Sequence, residues 1–194
     1  MIKKISTVAA IALAIVSNDV LGQTFKADAT KSSVAWLAKK VTGQHDGEVK
    51  LSSGSLTLDK GAVKSGTFEV DMTSIICKDL TGEYADKLIG HLRSDDFFAV
   101  DKFPKATLLV TEGKKEANGT YTLSGNLTIK GITKPVTFPA TITTVGGTVT
   151  AVSAITVDRT LYDIKYGSSS FFDSLGDKAI DNSFLLTVKL VASK

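Results

Sequence analysis

A period of two governs the hydrophobic pattern along most of this chain. Phe68, Val70 and Met72 alternate with Thr67, Glu69 and Asp71. Tyr121, Leu123, Leu127 and Ile129 alternate with Thr120, Thr122, Asn126 and Thr128, with Gly125 taking one inward slot. Val136, Phe138, Ala140 and Ile142 follow between threonines and Pro139, then Val149, Ala151, Ser153, Ile155 and Val157. Phe184, Leu186, Val188 and Leu190 close the chain. Successive strand side chains point to opposite faces, so each run predicts a strand with one buried face. With Val34-Ala35-Trp36 and the segments 47–58 and 106–112, about eight strands emerge.

The breaks between runs carry turn chemistry. Asp59-Lys60-Gly61, Glu116-Ala117-Asn118-Gly119, Lys130-Gly131-Ile132-Thr133-Lys134-Pro135 and Gly146-Gly147 fall at hairpin spacing. Short links between antiparallel neighbours predict a meander, closed as a barrel or folded as a sandwich. Pro135 and Pro139 place their strand at or near an edge, because proline cannot donate to a ladder. One segment changes period: Leu80, Tyr84, Leu88 and Leu92 recur every four residues, which predicts a helix over 81–92 with Thr81 as N-cap.

Two aromatic blocks lie outside the alternation. His91-Leu-Arg-Ser-Asp-Asp-Phe-Phe98 with Phe103, and Tyr166-Gly-Ser-Ser-Ser-Phe-Phe-Asp173, together hold Phe97, Phe98, Phe103, Phe171 and Phe172. Apolar rings in irregular segments call for a plugged barrel end or a wall against an apolar ligand. Small inward residues (Gly125, Ala140, Ala151, Ser153) leave room for a cavity. An eight-stranded barrel can also be filled solid by its own side chains, and the pattern leaves both readings open.

The N-terminus changes the picture of the mature chain. Lys3 and Lys4 precede an apolar, alanine-rich run from Thr7 to Val16, and Val20-Leu21-Gly22 supplies a small residue at a cleavage point. Residues 1–22 are therefore expected to be a cleaved signal peptide, placing the product in the periplasm or medium. Position 23 is Gln rather than Cys, so no lipid anchor is expected. Residues 23–194 are expected to form a single domain, large enough to bury roughly 70% of its unfolded surface. Without Lys3, Lys4 and Asp19 the formal net charge falls from +3 to +2, too little for an electrostatically driven nucleic-acid binder. The single Cys77 cannot form an internal disulfide and reads as a small apolar residue near a strand end.

Enzyme signatures are scarce. Gly167-Ser-Ser-Ser-Phe171 lacks the second glycine of a nucleophile elbow, and neither His45-Asp46 nor His91 with Asp95 has a recognised metal-ligand spacing. His45 reads as a turn residue, and His91 as a helix-end histidine that can satisfy last-turn carbonyls. Arg159, after the inward Val157, suits a phosphate or carboxylate head group at a barrel mouth, or else pairs on the surface with Asp158 or Asp163.

Four motifs stand in register. They are His91-Leu-Arg-Ser-Asp-Asp-Phe-Phe98, Lys102-Phe-Pro-Lys-Ala-Thr107, Gly125-Asn-Leu-Thr-Ile-Lys-Gly-Ile-Thr-Lys-Pro-Val-Thr-Phe138 and Arg159…Tyr166-Gly-Ser168. In this order the chain resembles the YceI-like family of exported, polyisoprenoid-binding bacterial proteins, from about Phe25 to the C-terminus. The resemblance implies an all-β, lipocalin-like extended antiparallel barrel with the helix packed across it. It implies no enzymatic activity and no cofactor beyond a bound isoprenoid or fatty-acid-like lipid, and in some members a homodimer. Carried over, His91, Leu92, Phe97, Phe98 and Phe103 line or close the pore, and Arg159, Ile164, Tyr166 and Ser168 match the second motif. Trp36, Phe171 and Phe172 complete the expected ligand-binding set. Two departures bear on head-group identity more than on fold. Arg159-Thr-Leu-Tyr-Asp-Ile164 carries Leu161 and Asp163 where the family pattern has Asp and Gly. The Trp36…His45 approach lacks the family's His-x-Gly-Phe form.

The first expectation is thus a carrier or store for a long-chain isoprenoid or similar amphiphile. The second is a solidly packed structural or interaction module. The third, a hydrolase or metal-dependent enzyme, needs His91 beside Ser168 or beside an acid in the pore.

Overall fold

The computed structural model describes residues 22–194. The signal-peptide expectation falls almost wholly on residues 1–21, outside the described residues. Nine strands and one α-helix follow in chain order: β1 (Gln23–Ala27), β2 (Ser33–Lys40), β3 (Gly43–Asp59), β4 (Ala62–Cys77), α1 (Gly82–Arg93), β5 (Lys105–Lys115), β6 (Tyr121–Ile129), β7 (Ile132–Val145), β8 (Thr148–Asp158) and β9 (Ile180–Ser193). All pairings are antiparallel between neighbours, and β2 closes the circuit by pairing with both β3 and β9. The predicted meander is therefore a closed barrel.

Nine strands fill eight positions. β1 pairs with the far half of β3, through Phe25↔Leu56, and with the end of β9, through Ala27↔Ala192. β2 pairs with the near half of β3 and the start of β9. The two run end to end in one slot, broken at Asp28, whose carboxylate accepts from the Thr30 amide and hydroxyl. Sequence periodicity misses β1 because five residues with only Phe25 fully buried carry too little alternation.

Several strands are long. β3 has 17 residues and β4 16, a span of about 55 Å for an extended chain. Bulges between Glu48 and Lys50, Leu51 and Ser53, and Thr57 and Leu58 let this ribbon coil around the axis. Three two-residue hairpins set the register. Lys60-Gly61, Lys130-Gly131 and Gly146-Gly147 each hold both residues at positive φ, the geometry that matches strand twist. The turn expected over 130–135 is thus only two residues long, and Ile132 to Pro135 already pair with β6.

The barrel has two unlike ends. At the hairpin end, the β3–β4, β5–β6 and β7–β8 turns surround a solid plug of Phe25, Leu58, Val63, Tyr121, Val149 and Ala192, all buried. The Tyr121 hydroxyl donates to the Gly61 carbonyl at 2.7 Å. At the capped end sit α1, the segment 94–104 and the segment 159–179. There β7 departs from β8: their pairing runs only from Ala140↔Ser153 to Val145↔Thr148. Pro135 and Pro139 lie in the half of β7 without a β8 partner, so the edge the prolines require is local.

The helix spans Gly82–Arg93 and starts one residue after the prediction. None of its residues is fully buried, and the Thr81 side chain makes no capping bond. Its end is fixed instead by the Ser94 hydroxyl on the His91 carbonyl at 2.8 Å and by the Arg93 guanidinium on the Thr73 carbonyl of β4.

Candidate functional site

Between the two ends lies a cavity of about 210 Å³ whose walls come from every strand from β2 to β9. A single water needs only about 10–15 Å³ of such space, so the barrel is far from solid. Its lining is overwhelmingly aliphatic and aromatic, including Phe68, Val70, Met72, Phe138, Phe184 and Leu186. The small residues act as the alternation suggests at Ala140, Ala151 and Ser153, which all face the cavity. Gly125 does not. A Cβ there would run into the Leu109 carbonyl of β5, so this glycine allows close strand approach at the Val110/Glu112 bulge rather than making room.

Six of the twelve expected ligand-binding residues face the cavity: Trp36, Leu92, Phe97, Phe98, Arg159 and Ile164. Trp36 leans over Gly47 of β3, with its ring carbons 2.5 and 2.7 Å from where a Cβ would stand. Its buried indole N–H has no acceptor among the described residues. Phe98 meets Phe184 edge-on at 6.3 Å, closing the space beneath the cap.

The other six lie outside the cavity. His91, on a partly exposed helix end, packs edge-on against Phe97 at 4.9 Å and Tyr166 at 4.5 Å. It joins the two aromatic blocks, but from above the cavity wall. Its Nε2 is 3.3 Å from the Asp96 carboxylate. Tyr166 is 45% exposed, and Phe171 and Phe172 stand about half exposed on the outer surface, with Lys165 over the Phe171 ring at 5.3 Å. Phe103 is displaced to the β6–β7 hairpin, where it packs on Gly131. Sequence position next to the aromatic motif misled here, because the chain reverses at Ala99, which is buried at positive φ.

Ser168 is completely buried but serves the loop. Its hydroxyl donates to Asn182 Oδ1 at 2.6 Å, and its carbonyl accepts from the Phe171 and Phe172 amides. Asn182 Nδ2 in turn donates to the Ser170 hydroxyl at 2.8 Å. His91 and Ser168 therefore have separate partners, and the His91–Ser168 pair that the hydrolase expectation required is not assembled.

Arg159 is not the surface residue paired with Asp158 or Asp163 that one sequence alternative expected. It is 4% exposed and pairs with no carboxylate among the described residues. Nε donates to the Asp181 carbonyl at 2.9 Å, Nη1 to the Ile164 carbonyl at 2.8 Å, and Nη2 to the Ile180 carbonyl at 3.1 Å. Burial lowers its proton affinity, while the Asp158 and Asp181 charges act in the opposite sense. The Asp158 carboxylate is itself engaged, accepting from the Thr160 amide and hydroxyl. The next turn ends at Asp163 with φ 58°, a left-handed position that Asp tolerates.

At the mouth of β3 and β4 a second polar cluster forms. Burial would raise the Asp79 carboxyl, but hydrogen bonds from His45, the Asp46 amide and the Cys77 thiol outweigh it and hold the group down at about 2. Burial and the Asp79 hydrogen bond both push the Cys77 thiol up. The carboxylate stands between imidazole and thiol, so no base activates the sulfur. The sequence reading missed this cluster because Asp79 follows the strand and carries no periodic signal.

Among curated relatives, a UPF0312 protein of Yersinia enterocolitica is 57% identical over 53 residues, 27% of each chain. A UPF0312 protein of Shewanella denitrificans is 34% identical over 87 residues, 45% of this chain and 44% of its own. These matches span less than half the length of either relative. Burkholderia cenocepacia BcnA has the same fold, with a TM-score of 0.71 at 22% identity over 86% of this chain and 99% of its own. So does a polyisoprenoid binding domain from Saccharophagus degradans, with a TM-score of 0.60 at 13% identity over 89% of this chain and 98% of that domain. The Campylobacter jejuni YCEI protein gives 0.56 at 16% identity over 100% of this chain and 99% of its own. The family model described as YceI-like domain matches residues 25–192.

Proposed function

The chain belongs to the family of YceI-like domains, and from that premise we propose that it carries or stores a long-chain isoprenoid or similar amphiphilic lipid in the barrel. The observation that supports this most is the apolar cavity walled by all eight strand positions. Water gains little from such walls, whereas burying a lipid methylene is worth about 0.8 kcal/mol before ordering costs. Orientation needs only a few polar groups, and of the polar lining residues, Arg159, Asp181 and Ser183 cluster at the capped end, while Ser32, Thr107, Ser153 and Lys189 are spread along the walls. No catalytic step is required.

Extraction of the natively expressed protein followed by mass spectrometry tests the proposal. A stoichiometric prenyl or long-chain lipid is expected. A protein that emerges empty and also fails to take up prenyl quinones would refute it. Ala151→Phe, which fills the cavity from β8, should reduce uptake while leaving the barrel folded.

Export belongs to the same reading and rests on the basic, alanine-rich N-terminus. N-terminal sequencing of protein from a periplasmic fraction should begin at Gln23. A homodimer, also part of this reading, is checked by light scattering of the lipid-loaded protein.

A further inference from the structure

An open, polar recess adjoins the cavity at the capped end, lined by Val41, Ser169 and Ala179 to Ser183. Ile180, Asp181 and Ser183 line both spaces. The pocket exists because the barrel seam parts here. Ala38 pairs with Phe184 and Lys40 with Ile180, so three β9 residues (Asp181, Asn182 and Ser183) stand opposite the single Lys39 of β2. The segment 167–170 crosses this gap, held by the Ile180 amide on the Gly167 carbonyl at 2.8 Å and by the Ser168–Asn182–Ser170 hydrogen bonds.

We infer that this pocket is the head-group compartment of the bound lipid and that it selects an uncharged head group able to donate a hydrogen bond, such as an alcohol, phenol or primary amide. The inference rests on the lipid-binding reading and adds the chemistry of the polar end.

Three features of the lining carry it. The only ionised side chain among the lining residues is the exposed Asp181 carboxylate, which has no hydrogen-bond partner among the described residues. It is an acceptor for a hydroxyl or amide N–H, and it repels a phosphate or carboxylate. The Ser169 and Ser183 hydroxyls, also without hydrogen-bond partners among the described residues, can accept or donate as the head group requires. Arg159, which lines the cavity beside the recess, has three of its five N–H groups committed to the carbonyls of Ile164, Ile180 and Asp181. Phosphate recognition favours a guanidinium fork free to bind bidentately, and this one is holding the wall together. Lys39, Lys40 and Lys178 are exposed nearby, but none lines the pocket.

The single tryptophan, Trp36, faces the cavity and reports occupancy by its fluorescence. The mature, delipidated protein is titrated with three probes of one chain length: a long-chain prenol, its methyl ether and its monophosphate. The prenol is expected to bind about fivefold to tenfold more tightly than the monophosphate, and more tightly than the ether, which cannot donate. Asp181→Asn should bring prenol and monophosphate within about twofold, mainly by strengthening the phosphate, and leave the ether unchanged. Val41→Lys, at a 64% exposed rim position, should favour the monophosphate without disturbing the barrel, and serves if Asp181→Asn folds poorly.

A monophosphate that binds as tightly as the prenol overturns the inference, as does a preference that neither substitution alters. If all three probes bind alike, the lipid-binding reading stands and the head-group assignment falls. If none binds, the ether included, both fall.

Discussion

The two ends of the barrel are built in opposite ways. The hairpin end is local: two-residue turns at Lys60-Gly61 and Gly146-Gly147 set neighbouring strands in register, and their first inward residues meet in a buried apolar plug. The capped end is assembled from segments far apart in sequence. His91 and Phe97 reach Tyr166, Lys130 donates to the carbonyls of Asp95 and Asp163, and Arg159 binds the start of β9. The plug stabilises through apolar burial, whereas the cap satisfies backbone groups that the departing strands leave unpaired. A closed end suits stability. On the proposed lipid-binding reading the other end admits the ligand, because its closures are side-chain contacts and loop hydrogen bonds rather than ladder.

Phe25→Ala should break the hairpin end most severely, costing about 3–5 kcal/mol in urea unfolding, because Phe25 is 2% exposed within the plug. Lipid affinity of the folded fraction should not change. At the capped end, Arg159→Met should cost about 2–3 kcal/mol by leaving the carbonyls of Ile164, Ile180 and Asp181 without their donor. Faster lipid exchange should accompany that loss and should not accompany Phe25→Ala. Equal exchange rates in the two variants would erase the contrast between the ends.

Phe98→Ala should cost less, about 1–2 kcal/mol, since this ring is only partly buried and borders existing space. Its clearer effect should be altered chain-length preference, read by competition between short and long prenols. The smallest effect concerns acid. Asp79 titrates at about 2 in the fold, below its unfolded value, so its contribution is complete above about pH 4 and fades as pH falls towards 2. With partial solvent screening this amounts to about 1 kcal/mol, and Asp79→Asn should flatten the stability curve over that window without touching lipid uptake.

Alternation and turn chemistry by themselves determined the meander, the closure of its hairpins and which face of each strand turns inward. These are short-range properties, set by the period of two and by the backbone freedom of a few turn residues. The aromatic blocks were legible as a plugged end or a wall against a ligand, and the motif order as a family resemblance. The roles within those blocks were not. Phe97 and Phe98 face the cavity, whereas Phe103, Phe171 and Phe172 do not, because chain reversals at Ala99 and Gly167 decide which ring points inward. Arg159 could be read from sequence as a cation awaiting an anion; only the tertiary structure brings the three carbonyls that occupy it. The same holds for the polar pocket at Asp181–Ser183. It arises from a mismatch between two strands more than a hundred residues apart in sequence, and only barrel closure sets them side by side.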